Sequence, residues 1–187
     1  MKAAATLETL IHELDKAMDA EDCGTRCRMV KDVLEHSVKH GGDILDPKFL
    51  EPVEGCYARR LIHKDPAGRY TVLAMVWAPG QGTALHDHCG MWCVECVYRG
   101  RIQVDSYALD KESQDGRYWF HKETTQYADP GDAGALIPPF EYHILSNALN
   151  VNAVTIHVYG GEMKFAHVYL PEEGAYRSHR KELCYTP

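Results

Sequence analysis

His86 and His88 stand two residues apart in the stretch "TALHDHCGMWCVECVYRG", Thr83 to Gly100, and Cys89, Cys93 and Cys96 follow them closely. On a β-strand, residues of one parity share a face, so both imidazoles can point at one metal ion. A third ligand must come from elsewhere, and "IPPFEYHILSN" offers His143 on another predicted strand. Imidazole suits iron, zinc, copper and nickel alike, so ligand type leaves the metal open. The cysteines raise a rival reading. Cys93-Val94-Glu95-Cys96 is a C-x-x-C pair, and two cysteines with two histidines are a common structural zinc set. Strand positions three apart face opposite ways, however, so these two sulfurs do not converge. Cys89 and Cys96 read instead as small buried hydrophobes.

The elements that must carry these residues follow from pattern. Leu7, Leu10, Ile11, Leu14 and Met18 are spaced by three and four, which predicts an amphipathic helix over residues 6–20 with Thr6 as its N-cap. Met29, Val30, Val33, Leu34 and Val38 mark the inward face of a second helix over 25–39, ended by "HGGD". Cys23 and Cys27 near its start read as ordinary thiols. The alanines before Thr6 read as a tag or a frayed end.

From about Tyr57 the pattern changes to short β-branched and aromatic runs broken by Gly, Pro and Asp. The predicted strands are "YARRLIH", "YTVLAMVWA", "WCVECVYR", "RIQVDSYAL", "GALIP", "YHILSN", "NAVTIHVYG" and "FAHVYL". Two helices followed by at least eight strands, with no alternating helices, predict an all-β barrel or jelly-roll under a helical cap. The expected division is a cap over 1–45, a barrel over 55–170 and a polar C-terminal tail over 171–187 that lies over the barrel or frays. His12, His36, His40, His121 and His179 read as surface residues, and His63 and His167 as core packing. Trp77 and Trp92 read as barrel packing.

Composition narrows the function classes. A 187-residue chain that is 45% hydrophobic and 25% charged fits a soluble globular protein. A net charge of −7 argues against nucleic acid or an anionic membrane as partner. No apolar run approaches the roughly 20 residues that span a bilayer, and the first residues lack the apolar core of a secretory signal. Seven cysteines without such a signal read as reduced thiols, so the expected location is cytoplasmic.

The motifs resemble those of the cupins. Gly80, His86, His88 and Gly100 fall into the first cupin motif, with Cys93 where the usual glutamate stands. Pro138, His143 and Asn147 fall into the second, where Phe140 replaces a glycine and Gly131 sits one place early. Cysteine in the glutamate position resembles the cysteine dioxygenase-like thiol dioxygenases, over roughly Tyr57 to Leu170. "YARRLI" is similar to that family's Tyr-x-Arg segment, and "TIHVYG" to its Ser-x-His-x-Tyr segment, with Thr155 for serine.

The resemblance implies an all-β cupin barrel with an N-terminal helix pair, Fe(II) as cofactor, and a small-molecule thiol and O2 as partners. It implies metal ligation by His86, His88 and His143, and substrate carboxylate binding by Arg59 with Tyr57 beside it. Tyr159 would be the catalytic hydroxyl, oriented by His157 and Thr155. A thioether would join Cys93 to Tyr159. L-Cysteine is the expected substrate, ahead of 3-mercaptopropionate or mercaptosuccinate, because the bacterial branch acting on mercapto-acids usually carries glutamine at Arg59. A non-catalytic metal-binding cupin is the reading from a different class.

Overall fold

The computed structural model describes residues 6–139 and 141–187; the first alanines and Phe140, on which two expectations rested, lie outside them. Helix α1 spans Leu7–Ala17 and begins at Thr6, whose side chain accepts from the backbone N–H of Thr9 in a capping box. Helix α2 spans Cys23–Gly41 behind an Asp22 N-cap, and Gly42 ends it at a φ of 69°. Its buried residues are Cys27, Val30, Leu34 and Ser37, while Met29, expected inside, is exposed. One short 3-10 turn, Pro47–Leu50, leads into the strands.

Eleven strands follow among the described residues: β1 (Ala58–Lys64), β2 (Thr71–Trp77), β3 (Leu85–His86), β4 (Cys93–Arg99), β5 (Ile102–Glu112), β6 (Arg117–Ala128), β7 (Ala133–Leu136), β8 (Tyr142–Asn147), β9 (Ala153–Tyr159), β10 (Phe165–Glu172) and β11 (Ala175–Glu182). All pairings are antiparallel. One sheet has the order β1-β2-β9-β4-β7, and the other closes on itself in the order β10-β11-β6-β5-β8-β3. This is the expected jelly-roll barrel with a helical cap.

The alternation within the five-stranded sheet decides what faces the barrel interior. Val72, Ala74 and Val76 of β2, Val94 and Cys96 of β4, and Val154, Ile156 and Val158 of β9 form one core with Leu10, Leu14, Val30 and Leu34 of the helices. The opposite parity of the same strands carries Met75, Cys93, Glu95, Thr155, His157 and Tyr159, and β1 adds Arg59 to that face. Every residue of β2 and β9 is buried because helices cover one face and the second sheet the other. Gly100 turns β4 into β5 at a φ of 81°, where a Cβ would stand 2.8 Å from that of Ala153. Only glycine meets both demands.

Three strands depart from expectation. β6 is polar and exposed over most of its length, with Tyr118 and Phe120 at its start against Tyr169, and β3 is only two residues long. Residues 175–182, expected within a tail, instead pair with β10 along their whole length and with β6 at Tyr176 and Arg177. The chain beyond β11 then returns to β1, where Thr186 N–H donates to the Arg59 carbonyl at 2.7 Å and Arg59 N–H donates to Thr186 Oγ1 at 3.0 Å.

Candidate active site

Three imidazoles meet at the barrel interior. His86 ends β3 and pairs in register with His143 of β8; His88 lies two residues beyond His86. The ring centroids are 4.4 Å apart for His86–His143, 5.0 Å for His88–His143 and 5.3 Å for His86–His88. Each ring offers a nitrogen within 4.8 Å of the other two. His86 Nδ1 lies 3.0 Å from the Ala84 carbonyl and His143 Nδ1 lies 2.9 Å from that of Glu141. A carbonyl only accepts, so these nitrogens carry the protons and leave both Nε2 lone pairs free.

The electrostatics agree with that tautomer. Burial pushes all three imidazoles below the usual histidine range, and mutual repulsion adds to it for His88 and His143. They are neutral at neutral pH. His143 Nε2 and His88 Nδ1 are buried with no hydrogen-bond partner among the described residues. Three clustered imidazoles with buried, unpartnered ring nitrogens fit a divalent metal.

Asp87 stands between the two motif histidines and faces the other way. It accepts from His167 N–H at 3.0 Å, from His167 Nδ1 at 3.0 Å and from the Tyr169 hydroxyl at 3.2 Å. These bonds tie the histidine segment to β10. His167 is therefore not core packing; its side chain is 39% exposed and serves Asp87. Cys89, expected to be buried, is exposed at a φ of 53°, with its thiol 3.5 Å from Asp87 Oδ1. Cys96 is buried in the helix-side core, as expected.

A second buried group adjoins the first on β4 and β9. Cys93 pairs in register with Tyr159, and Glu95 with His157. Trp77 Nε1 donates to Thr155 Oγ1 at 2.9 Å, and Thr155 Oγ1 lies 2.7 Å from His157 Nε2. Trp77 thus packs in the barrel and also anchors this row. At its other nitrogen, His157 Nδ1 lies 3.4 Å from the Tyr159 hydroxyl, 3.4 Å from Glu95 Oε2 and 4.0 Å from Cys93 Sγ. Burial, with the Arg59 charge behind it, brings His157 down to about 3, so it too is neutral. Burial raises the Tyr159 hydroxyl and the Cys93 thiol well above their usual values; Glu95 adds to the rise at Cys93.

Arg59 is 6% exposed, donates from Nη1 to the Cys184 carbonyl at 3.2 Å and lies over the Tyr185 ring. Its neighbour Arg60 points away and bonds to the Glu51 carbonyl at 2.9 Å. Arg59, Tyr57, the three metal-site histidines, His157 and Tyr159 all line one cavity of about 30 Å³. Thr155 stands behind His157, and Cys93 behind Tyr159. Met163 and Lys181 also stand at its wall.

Two groups of this cavity escaped the sequence reading. Glu95 is one; its parity with Cys93 on β4 was the available signal. Lys181 of β11 is the other, and no signal for it existed in a stretch that reads as a polar tail. Burial raises the Glu95 carboxyl to about 8.

A jelly-roll barrel with inward-facing imidazoles from an H-x-H segment and an adjoining strand defines a cupin with a metal site. The chain matches the family model for cysteine dioxygenase type I over residues 53–170 and belongs to that family. Among solved structures it is similar to an uncharacterized conserved protein with a double-stranded β-helix domain from Klebsiella pneumoniae. The identity there is 16%, over 65% of this chain and 93% of that one, with a TM-score of 0.48. A Cupin 2 conserved barrel domain protein from Salinispora arenicola is 18% identical over 62% of this chain and 83% of that one, with a TM-score of 0.42. No helix among the described residues is long and apolar enough to cross a membrane.

Proposed function

We propose that this protein is a non-haem Fe(II) thiol dioxygenase that adds both atoms of O2 to the sulfur of L-cysteine, giving cysteine sulfinic acid. One observation carries the reading: three neutral imidazoles share a small cavity with a buried guanidinium and a buried tyrosine hydroxyl. Simple metal storage needs neither of the last two.

His86, His88 and His143 would hold the metal. The chemistry that iron supplies when bound is a Lewis-acidic centre where a thiolate and dioxygen can meet. Arg59 binds the substrate carboxylate through its planar fork, which lysine cannot reproduce. Tyr57 closes the wall beside it, its ring 4.7 Å from that of Trp77. Tyr159 presents its hydroxyl to the substrate, held by His157, which Thr155 and Trp77 hold in turn. The reaction balances without another reductant: one thiol and one O2 give one sulfinic acid.

Lys181 at the wall of the same cavity favours a second reading, in which the substrate is a mercapto-acid such as 3-mercaptopropionate or mercaptosuccinate. Oxygen uptake by the iron-loaded protein, with each thiol in turn and the product identified by mass, tests both. One O2 consumed per sulfinate formed from cysteine is expected. No uptake with any of the three thiols overturns the proposal.

A further inference from the structure

Glu95 has no assigned task, and its setting demands one. The side chain projects from β4 to the barrel interior, directly opposite His157 in the β4–β9 register. Its Oε2 is buried and has no hydrogen-bond partner among the described residues. Two imidazole nitrogens stand near it, His157 Nδ1 at 3.4 Å and His143 Nε2 at 3.9 Å. A buried acid left without partners costs about 1–3 kcal/mol, so its retention calls for a partner that arrives later.

Glu95 Oε2 lies beside the metal site, 3.9 Å from His143 Nε2, and iron content separates a ligand role from a substrate-binding one. The donor atoms of His86, His88 and His143 lie within 4.8 Å of one another, and the Glu95 carboxylate falls in a different group, with Cys93 and His157. It borders the metal site without joining the set that the three imidazoles share. Glu95 and Arg59 line the same cavity, and both adjoin His157. A cavity that presents one guanidinium and one carboxylate matches a ligand with an acid at one end and an amine donor near it.

We infer that Glu95 reads the amino group of the substrate, accepting its N–H at Oε2, while Arg59 takes the carboxylate. The site thereby prefers an α-amino thiol acid over a thiol acid without the amine. The inference rests on the proposed thiol site and adds to it a specificity residue on β4. Glutamine at position 95 keeps the shape and puts an amide N–H, which can only donate, where a carboxyl oxygen can accept.

The test is anaerobic calorimetric titration of the Fe(II)-loaded protein and its Glu95→Gln variant with L-cysteine, 3-mercaptopropionate and mercaptosuccinate. Iron content and melting temperature are measured alongside. Cysteine and 3-mercaptopropionate differ only by the amine, so the wild type should bind cysteine at least about tenfold more tightly. Glu95→Gln should weaken cysteine by about tenfold, as expected for loss of one hydrogen bond. Binding of the two mercapto-acids should hold or improve, with iron content unchanged. An unchanged ratio of the three dissociation constants overturns the inference. Loss of iron from Glu95→Gln also overturns it, because the carboxylate would then be a ligand. Should the variant fail to fold, the wild-type comparison decides, and tighter binding of 3-mercaptopropionate than of cysteine sinks the idea. These readings need no turnover. A protein that binds as expected but takes up no oxygen refutes the dioxygenase reading and not the role of Glu95.

Discussion

Cys93 and Tyr159 face each other across the β4–β9 ladder, both buried, at 0% and 4% exposure. Neither is free to turn away, because Cys93 packs with Leu73, Met163 and Ala166 in the same cluster that holds the tyrosine ring. Directly opposed strand residues have Cβ atoms about 4.5–5.5 Å apart, close enough for sulfur to reach an aromatic ring. The first prediction is a thioether between Cys93 Sγ and the Tyr159 ring, formed with loss of two hydrogens to dioxygen during turnover with iron. Intact mass should fall by two hydrogens, and Cys93→Gly should show no change. Peptide maps of turned-over protein that contain only unmodified Tyr159 refute it.

The metal site gives the second prediction. Each imidazole supplies one nitrogen, and a two-histidine remnant leaves an incomplete face. His86→Ala, His88→Ala and His143→Ala should each lose iron on gel filtration and lose thiol-dependent oxygen uptake. Because His143 Nδ1 also holds the Glu141 carbonyl, melting temperature is the control for folding. Full iron occupancy in His143→Ala refutes the assignment.

Arg59 gives the third. Truncation leaves a desolvated carboxylate without its partner, a loss of about 3–5 kcal/mol. Arg59→Ala should therefore lower kcat/KM for cysteine by about two to three orders of magnitude. Arg59→Gln should weaken cysteine sharply and spare 3-mercaptopropionate by comparison. Arg60 stays outside the cavity, so Arg60→Gln is the control. Equal losses in both glutamine variants, with thiol preference unmoved, remove the reason for ranking cysteine first.

The fourth concerns stability and acid. Asp65 closes the β1–β2 turn, accepting from Arg69 N–H and from Arg69 Nε, each at 2.9 Å. The Arg69 side chain lowers the Asp65 carboxyl to about 2 from an ordinary value of 3.8. A depressed carboxyl adds stability above its unfolded value and loses it as pH falls through the folded one. Arg69 is 40% exposed, so solvent screens the pair. Asp65→Asn should be less stable to urea at neutral pH and show a flatter decline from about pH 4 to pH 2. Parallel acid limbs in the two proteins contradict the assignment.

What one stretch of chain could determine by itself was local. The spacing of Leu10 and Leu14 and the separation of Cys93 from Cys96 are consequences of 3.6- and 2-residue periods; the His86 and His88 pair reads as one strand, but β3 ends at His86 and His88 lies beyond it. The family motifs added the distant members Arg59, His143 and Tyr159, because a motif carries the memory of a fold that periodicity lacks. What lay beyond reach was the identity of neighbours. Parity put Glu95 on the face of Cys93, but only the β4–β9 register set it opposite His157 and left its carboxylate buried. β6 and β11 were illegible because their sequences are mostly polar and their strand state comes largely from hydrogen bonds to β5 and β10. The same holds for Cys89 and His167: one turn at positive φ and one aspartate facing outward place both at the surface. Local pattern states which side a residue faces, and tertiary pairing decides what it meets there.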